Sequence, residues 1–162
     1  MVQIISYEDK YFDDVANLLA IFRVTLRKFK NENTEPDIED AKDELNYYFE
    51  KKFPLYLAVI DNKAVGYILL RVDGVVWMEH IFVASEYRRQ GIASLLYEKG
   101  EEYSQEFCGE TLFNYVHPNN DVMIAFLRKN GYDVLNLIEI RKPFKGEKTT
   151  TKIKIGNNEF DY

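Results

Sequence analysis

Glu79-His80-Ile81-Phe82-Val83-Ala84-Ser85-Glu86-Tyr87-Arg88-Arg89-Gln90-Gly91-Ile92-Ala93-Ser94 is the stretch that decides the fold. Branched and aromatic residues run to Val83, which reads as the end of a strand. A short basic loop follows, and a helix opens at Gly91. Glycine there lets a ligand approach the backbone closely, and Ala93 keeps the next turn small. The first free N–H groups of a helix lie at the positive end of its dipole and attract anions. Arg88 and Arg89 add two full charges beside them. The expectation is a phosphate or pyrophosphate held mainly by main-chain N–H groups. The plainer alternative is a solvated basic loop that happens to precede a helix. The sequence lacks GxGxxG, which speaks against a dinucleotide fold, and lacks GKS or GKT, which speaks against a nucleotide triphosphatase.

Upstream, Val2–Ser6 reads as a short strand. Phe12, Val15, Leu18, Leu19, Phe22, Leu26 and Phe29 then recur at helical spacing, predicting a helix over about residues 9–30. Thr34 to Asp37 resembles a capping box, with Pro36 in the first turn of a second helix that carries Ile38, Ala41, Leu45 and Tyr48 on one side. Leu55–Ile60, Ala64–Asp73 and Val75–Ala84, punctuated by Asp61-Asn62-Lys63 and Asp73-Gly74, predict an antiparallel meander. Downstream, Gly91–Phe107 keeps helical period and Thr111–Val116 reads as a strand, which a right-handed crossover would make parallel to the one before. Asp121–Asn130 reads as a helix stopped by Gly131, Tyr132–Ile140 as a strand, and Lys152–Ile155 as another. With no repeat or linker in view, the expectation is a single domain over 1–162, with a core at about 2–142 and a C-terminal extension at 143–162.

Arg88-Arg89-Gln90-Gly91-Ile92-Ala93 is similar to the R/Q-x-x-G-x-G/A motif of the GNAT superfamily of acetyl-CoA-dependent N-acetyltransferases. The preceding strand resembles that family's E-x-I-x-V pattern with its pEYR loop. Asn120 to Tyr132 resembles its N-x-x-A-x-x-x-Y-x-k-x-G-F segment. The resemblance covers about residues 2–142. It implies an α/β (α+β) fold, with a mixed, mostly antiparallel sheet of six to seven strands, a central splay and about four flanking helices. It also implies acetyl-CoA as co-substrate. Main-chain groups of Ile81, Phe82 and Val83 would pair with the pantetheine arm. The loop from Arg88 would seat the pyrophosphate on the N–H groups of Arg89, Gln90, Gly91, Ile92, Ala93 and Ser94. Asn120 would hydrogen-bond the pantetheine amides, and Arg128 or Lys129 is a candidate for the 3′-phosphate.

An alkylammonium has a pKa of about 10.4, so acetyl transfer to an amine at neutral pH needs a proton acceptor. Strict alternation would place Val76, Met78, His80 and Phe82 on one face of their strand and Trp77, Glu79, Ile81 and Val83 on the other. A carboxylate between Trp77 and Ile81 is out of place unless that face opens on a cleft, where partial desolvation makes it a better base. Part of the family uses a glutamate at this position, so Glu79 is the catalytic candidate; the alternative is a structural carboxylate paired with a nearby cation. His80 reads as a packed ring. His117 lies nearer the expected cleft. Many relatives carry a tyrosine, donor of a proton to the departing thiolate, where this chain has Leu127, and leucine cannot donate one. Either the thiolate leaves without that help or another tyrosine, Tyr115 or Tyr132, takes its place. The ribosomal-protein type of N-terminal acetyltransferase often has a glutamate where this chain has Tyr115.

Composition sets outer limits. The chain has 162 residues, 46% of them hydrophobic and 15% aromatic, too apolar for a disordered segment. Its net charge of −6 excludes a generic nucleic-acid binder. One cysteine, Cys108, excludes an internal disulfide, points to a reducing cytoplasmic compartment, and sits away from the motif, against an acyl-cysteine route. Two distant histidines make no metal-ligand pattern. Glu8 and Asp9 fall where a signal peptide would be apolar, and no apolar run nears the roughly 18 residues of a membrane span. Eight acids and Lys42 alone in residues 32–50 favour a cationic acceptor if that segment faces the cleft, or else form a solvated face. Residues 141–154 carry six bases and Glu147, a patch for an acidic partner or for another subunit of a homodimer. The expected function is transfer of acetyl to a small cationic primary amine. A protein N-terminal or lysine acetyltransferase and a non-catalytic acyl-CoA sensor stay open.

Overall fold

Val15, Leu18 and Leu19 are buried because α1 (Phe12–Lys28) turns their stripe toward the sheet. The computed structural model describes residues 1–29, 31–149 and 151–162, so the expected helix end at Lys30 lies outside the described residues. The start expected near residue 9 is a 3-10 turn, Asp9–Tyr11. Helix α2 (Ile38–Glu50) buries Ala41, Leu45 and Tyr48. Its cap corrects the expectation: Asp37 is itself the N-cap, accepting from the Asp40 N–H at 3.0 Å, and Pro36 stands before the helix. Aspartate outranks threonine as a cap, and proline keeps the residue before it extended, which delays the helix start.

The described residues gather in two compact units, Met1–Ala125 and Phe126–Tyr162. In the first, a five-stranded sheet runs in chain order through β1 (Gln3–Ser6), β2 (Leu55–Ile60), β3 (Lys63–Asp73), β4 (Val75–Val83) and β5 (Phe113–Asn114). The first four strands are antiparallel neighbours. β5 joins β4 in parallel, as the crossover through α3 (Ile92–Cys108) demands. Leu19, Leu45, Tyr48, Leu57, Tyr67, Leu69 and Phe82 form the core under α1 and α2. On the other face α3 sits so close that a Cβ on Gly100 would lie 2.9 Å from Ile68 Cδ1 and 3.1 Å from Leu112 Cδ2.

One irregularity changes the site. Leu69 faces His80 and Leu70 faces Met78, so Glu79 is an extra residue on β4, a β-bulge. Facing residues share a side of the sheet. His80 and Phe82 therefore lie toward α1 and α2, while Met78, Ile81 and Val83 lie toward α3. The strict alternation expected from the sequence fails here, because a bulge shifts the pleat by one. The strand expected over Thr111–Val116 is only Phe113–Asn114 long: it pairs with Trp77 and Met78, just before the bulge bends β4 away.

Helix α4 (Asp121–Lys129) ends as expected: Gly131 takes φ +85° and the Tyr132 N–H reaches the Leu127 carbonyl at 3.1 Å. The strand expected over Tyr132–Ile140 has no regular structure, and Val134, Leu135, Leu137, Ile138 and Ile140 are exposed. No strand among the described residues pairs with it, and β propensity without a partner does not make a strand. β6 (Lys152–Ile155) and β7 (Asn158–Asp161) pair with each other as a hairpin. The expected mixed, mostly antiparallel architecture with four helices is present among the described residues, with five strands in the main sheet rather than six or seven.

Candidate active site

Among the described residues, β4 beyond Met78 pairs only with β3, so the other edge of Ile81, Phe82 and Val83 has no strand beside it. That edge leads into a 3-10 turn, Ser85–Tyr87, and then to the start of α3. Gly91 is the N-cap at φ +80°, with no side chain capping the helix and no acid in its first turn. Arg89 also has positive φ, +63°. A Cβ built on Gly91 would meet nothing within 4 Å beyond its immediate chain neighbours, so the space against its backbone is open. Arg89 and Gln90 are exposed; Ile92 is buried, with Ala93 and Ser94 partly so. Arg88 is already engaged: its Nε donates to the Val83 carbonyl at 2.8 Å and its guanidinium lies 5.2 Å from the Phe82 ring. It ties the strand end to the loop. A free strand edge, an uncapped helix start and open space at glycine fit an amide-bearing arm ending in a diphosphate.

Glu79 accepts from Arg71 Nε at 3.0 Å through Oε2, with both side chains partly exposed. The paired carboxylate weighed from the sequence is thus what the resting site contains. Arg71 also reaches Asp73 Oδ2 at 3.4 Å and lies over the rings of Trp77 and Tyr115, at 5.6 Å and 6.0 Å. Burial works against its charge, but hydrogen bonds to Glu79 and Tyr115 outweigh that and raise its pKa. Trp77 and Tyr115 stack at 4.4 Å, within 7° of parallel. Sequence reasoning missed Arg71 as part of this site: one cation at the end of an apolar strand looks like an ordinary strand exit.

His80, on the same side of the sheet, is buried against Phe22, Tyr48 and Tyr67. Its Nε2 lies 3.2 Å from Arg23 Nη2, so the ring accepts there as a neutral imidazole. Burial, helped by the Arg23 charge, lowers its pKa to about 3. Arg23 is held by Glu44 through both Nε and Nη2, and donates to the Tyr48 hydroxyl at 3.0 Å. Burial pushes Tyr48 up to about 12.

The acetyltransferase (GNAT) family model matches residues 18–132, from within α1 to the end of the α4 turn. The chain belongs to that family. It is 32% identical to streptothricin acetyltransferase A of Bacillus subtilis (strain 168), over 44% of this chain and 43% of that protein. It is 24% identical to an N-alpha-acetyltransferase of Saccharolobus solfataricus (strain ATCC 35092 / DSM 1617 / JCM 11322 / P2), over 78% of this chain and 79% of that one. The chain thus spans less than half the length of the first of these relatives. Among solved structures, aminoglycoside N-acetyltransferase AAC(6')-Iy in complex with CoA superposes with a TM-score of 0.69 at 16% identity, covering 88% of this chain and 95% of that one.

The remaining sequence candidates lie elsewhere on this GNAT frame. Asn120 caps α4, its Oδ1 accepting from the Met123 N–H at 3.1 Å, which leaves its amide nitrogen to donate elsewhere. His117 stacks on Phe29, and its Nδ1 accepts from the Asn119 N–H at 3.2 Å. Leu127 is buried. Within the acidic 32–50 segment, Glu44 is spent on Arg23, Asp37 on its cap and Glu39 on Lys42. In the basic 141–154 segment, Arg141 grips Glu147 with both terminal nitrogens and Lys152 pairs with Glu159. Among the described residues no group of three His, Cys, Asp or Glu is placed to hold a metal ion, and no helix is long and apolar enough to cross a membrane.

Proposed function

We propose that this GNAT enzyme moves the acetyl group of acetyl-CoA to a primary amine by direct attack, with Glu79 taking the amine proton. The observation that carries the reading is the bulge. It sets a carboxylate at the point where β4 leaves β5, next to the free edge that runs through Ile81, Phe82 and Val83 to Gly91. On this reading that edge pairs with the pantetheine arm, and the N–H groups of Arg89, Gln90, Gly91, Ile92, Ala93 and Ser94 hold the diphosphate. Asn120 donates to a pantetheine amide, and Arg88 braces the loop. Arg71 keeps one Glu79 oxygen fixed, and the other faces the acceptor, directly or through a water. A small cationic amine is the favoured acceptor. The likeness to streptothricin acetyltransferase A and to an aminoglycoside N-acetyltransferase supports it, as do the acids of residues 32–50 that have no structural duty. The likeness to an N-alpha-acetyltransferase over 78% of the chain supports a peptide N-terminus as second acceptor class.

Thiol release from acetyl-CoA over a panel of polyamines, aminoglycosides and short peptides separates these readings. Tight CoA binding with no turnover on any of them would leave a sensor module instead. In the same assay Glu79→Gln should lower turnover by about 10²-fold while acetyl-CoA affinity stays nearly intact. Full activity of the variant across the pH range would remove Glu79 from the mechanism.

A further inference from the structure

Two consecutive residues at the bulge are each held by an arginine from a different element. Arg71 of β3 bonds the Glu79 carboxylate at 3.0 Å. Arg23 of α1 brings its Nη2 to 3.2 Å from Nε2 of His80. Arg23 is itself fixed: Glu44 of α2 accepts from its Nε and Nη2, and the Tyr48 hydroxyl accepts from it at 3.0 Å. The His80 ring is 4% exposed, with its centre 4.7 Å from that of Phe22 and its edge toward Tyr48 and Tyr67. With Nε2 accepting from Arg23, the ring proton sits on Nδ1, and that buried donor has no partner among the described residues. A buried donor without a partner destabilises the fold, so stability does not explain an imidazole here. What it supplies, and an apolar ring would not, is a hydrogen bond from the helix pair to the residue next to Glu79.

We propose that His80 is a positioning residue for Glu79: the Arg23–His80 bond pins the bulge from the α1 side, while Arg71 holds the carboxylate from β3. This rests on the reading of Glu79 as the base. A β-bulge leaves its extra residue outside the ladder, so no strand pairing of its own sets the direction in which Glu79 leaves the backbone. Its two neighbours must set it. Met78 is held by Leu70 on β3 and by Asn114 on β5. His80 keeps Leu69 on β3 but has no β5 residue beside it among the described residues. The lock on its ring supplies the missing constraint on that side. Arg23 and Glu44 serve the site without touching substrate: their bond joins α1 to α2 and holds the guanidinium where His80 meets it. A carboxylate displaced by about 1 Å from the amine proton is still present and ionised, yet catalysis through it falls steeply.

His80→Phe keeps an aromatic ring among Phe22, Tyr48 and Tyr67 and removes the lock, whereas His80→Gln restores an acceptor within reach of Arg23 Nη2. Thiol release from acetyl-CoA is measured for each, alone and combined with Glu79→Gln. The expected result is a kcat lower by about tenfold or more in His80→Phe, with KM for acetyl-CoA unchanged and most of the loss restored in His80→Gln. The losses of His80→Phe and Glu79→Gln should not add, because a positioning residue has nothing to aim once the carboxylate is gone. Arg23→Met leaves the imidazole in place, so it tests the lock without repacking position 80; it should show the same loss and the same lack of addition. A ring that only supports the fold would cost the same factor in both backgrounds, and that result would overturn the proposal. So would a wild-type kcat in His80→Phe, or a loss that His80→Gln leaves unrestored. Full activity of Glu79→Gln alone would remove the base reading and this role with it. A large loss in Glu79→Gln beside a wild-type kcat in His80→Phe would remove the role of His80 and leave the base reading standing.

Discussion

Acidifying the protein should expose the cost of burying His80. The ring's pKa is about 3 in the folded chain against an ordinary 6.5, with burial the main cause and Arg23 the second. Below 6.5 the unfolded chain binds a proton that the folded chain refuses, so stability falls as pH drops. The loss is absent above 6.5 and complete near 3. That gap of about 3.5 pH units, at about 1.4 kcal/mol each, amounts to about 5 kcal/mol. By pH 4 about 3 kcal/mol of it should be gone. His80→Phe is the comparison: it puts an aromatic ring of similar size among Phe22, Tyr48 and Tyr67, and Arg23 keeps Glu44 and Tyr48. The carboxylates titrate alike in both proteins and cancel. Urea unfolding, followed by the fluorescence of Trp77, should give stability curves for wild type and variant that separate by about 1.4 kcal/mol per pH unit between 6.5 and 4, the variant losing less. Parallel curves over that range would refute the neutral, desolvated histidine.

Two further substitutions probe the start of α3 and the cap of α2. Gly91→Ala places a methyl group where nothing but its immediate chain neighbours lies within 4 Å, so the folded state should lose only the strain of a positive φ, about 1–2 kcal/mol. That methyl would stand in the diphosphate path, so calorimetry should show CoA affinity weakened by about tenfold or more, beyond any change in stability; unchanged affinity would put the diphosphate elsewhere. Asp37→Ala removes the bond to the Asp40 N–H and should cost about 1 kcal/mol in chemical denaturation with no change in CoA binding.

The fold was legible where side-chain spacing alone decides structure. The stripes of α1, α2 and α3, the meander and the helix-opening Gly91 all follow from residues within one or two turns of each other. The parallel arrival of β5 followed from the crossover rule. What escaped the sequence depends on partners far along the chain. The bulge at Glu79 is set by how β3 registers on β4, and no residue of β4 announces it. The partner of Glu79 is Arg71, eight residues earlier across a hairpin, and the sequence offered only an unnamed cation. Arg23 and Glu44 lie on different helices, and their bond converts an acid of the supposed cation-attracting patch into a half-buried partner of the arginine beside His80. Tyr132–Ile140 shows the opposite failure: local composition favours a strand, but pairing decides whether one forms.

Calorimetric titration of the intact chain with CoA, beside pantetheine as the same arm without phosphates, tests most directly whether the free edge of β4 and the first turn of α3 form the cofactor cradle. The account predicts one CoA bound per chain, with pantetheine held far more weakly because the helix start grips the diphosphate. Equal affinities for the two, or no binding of CoA, would contradict it.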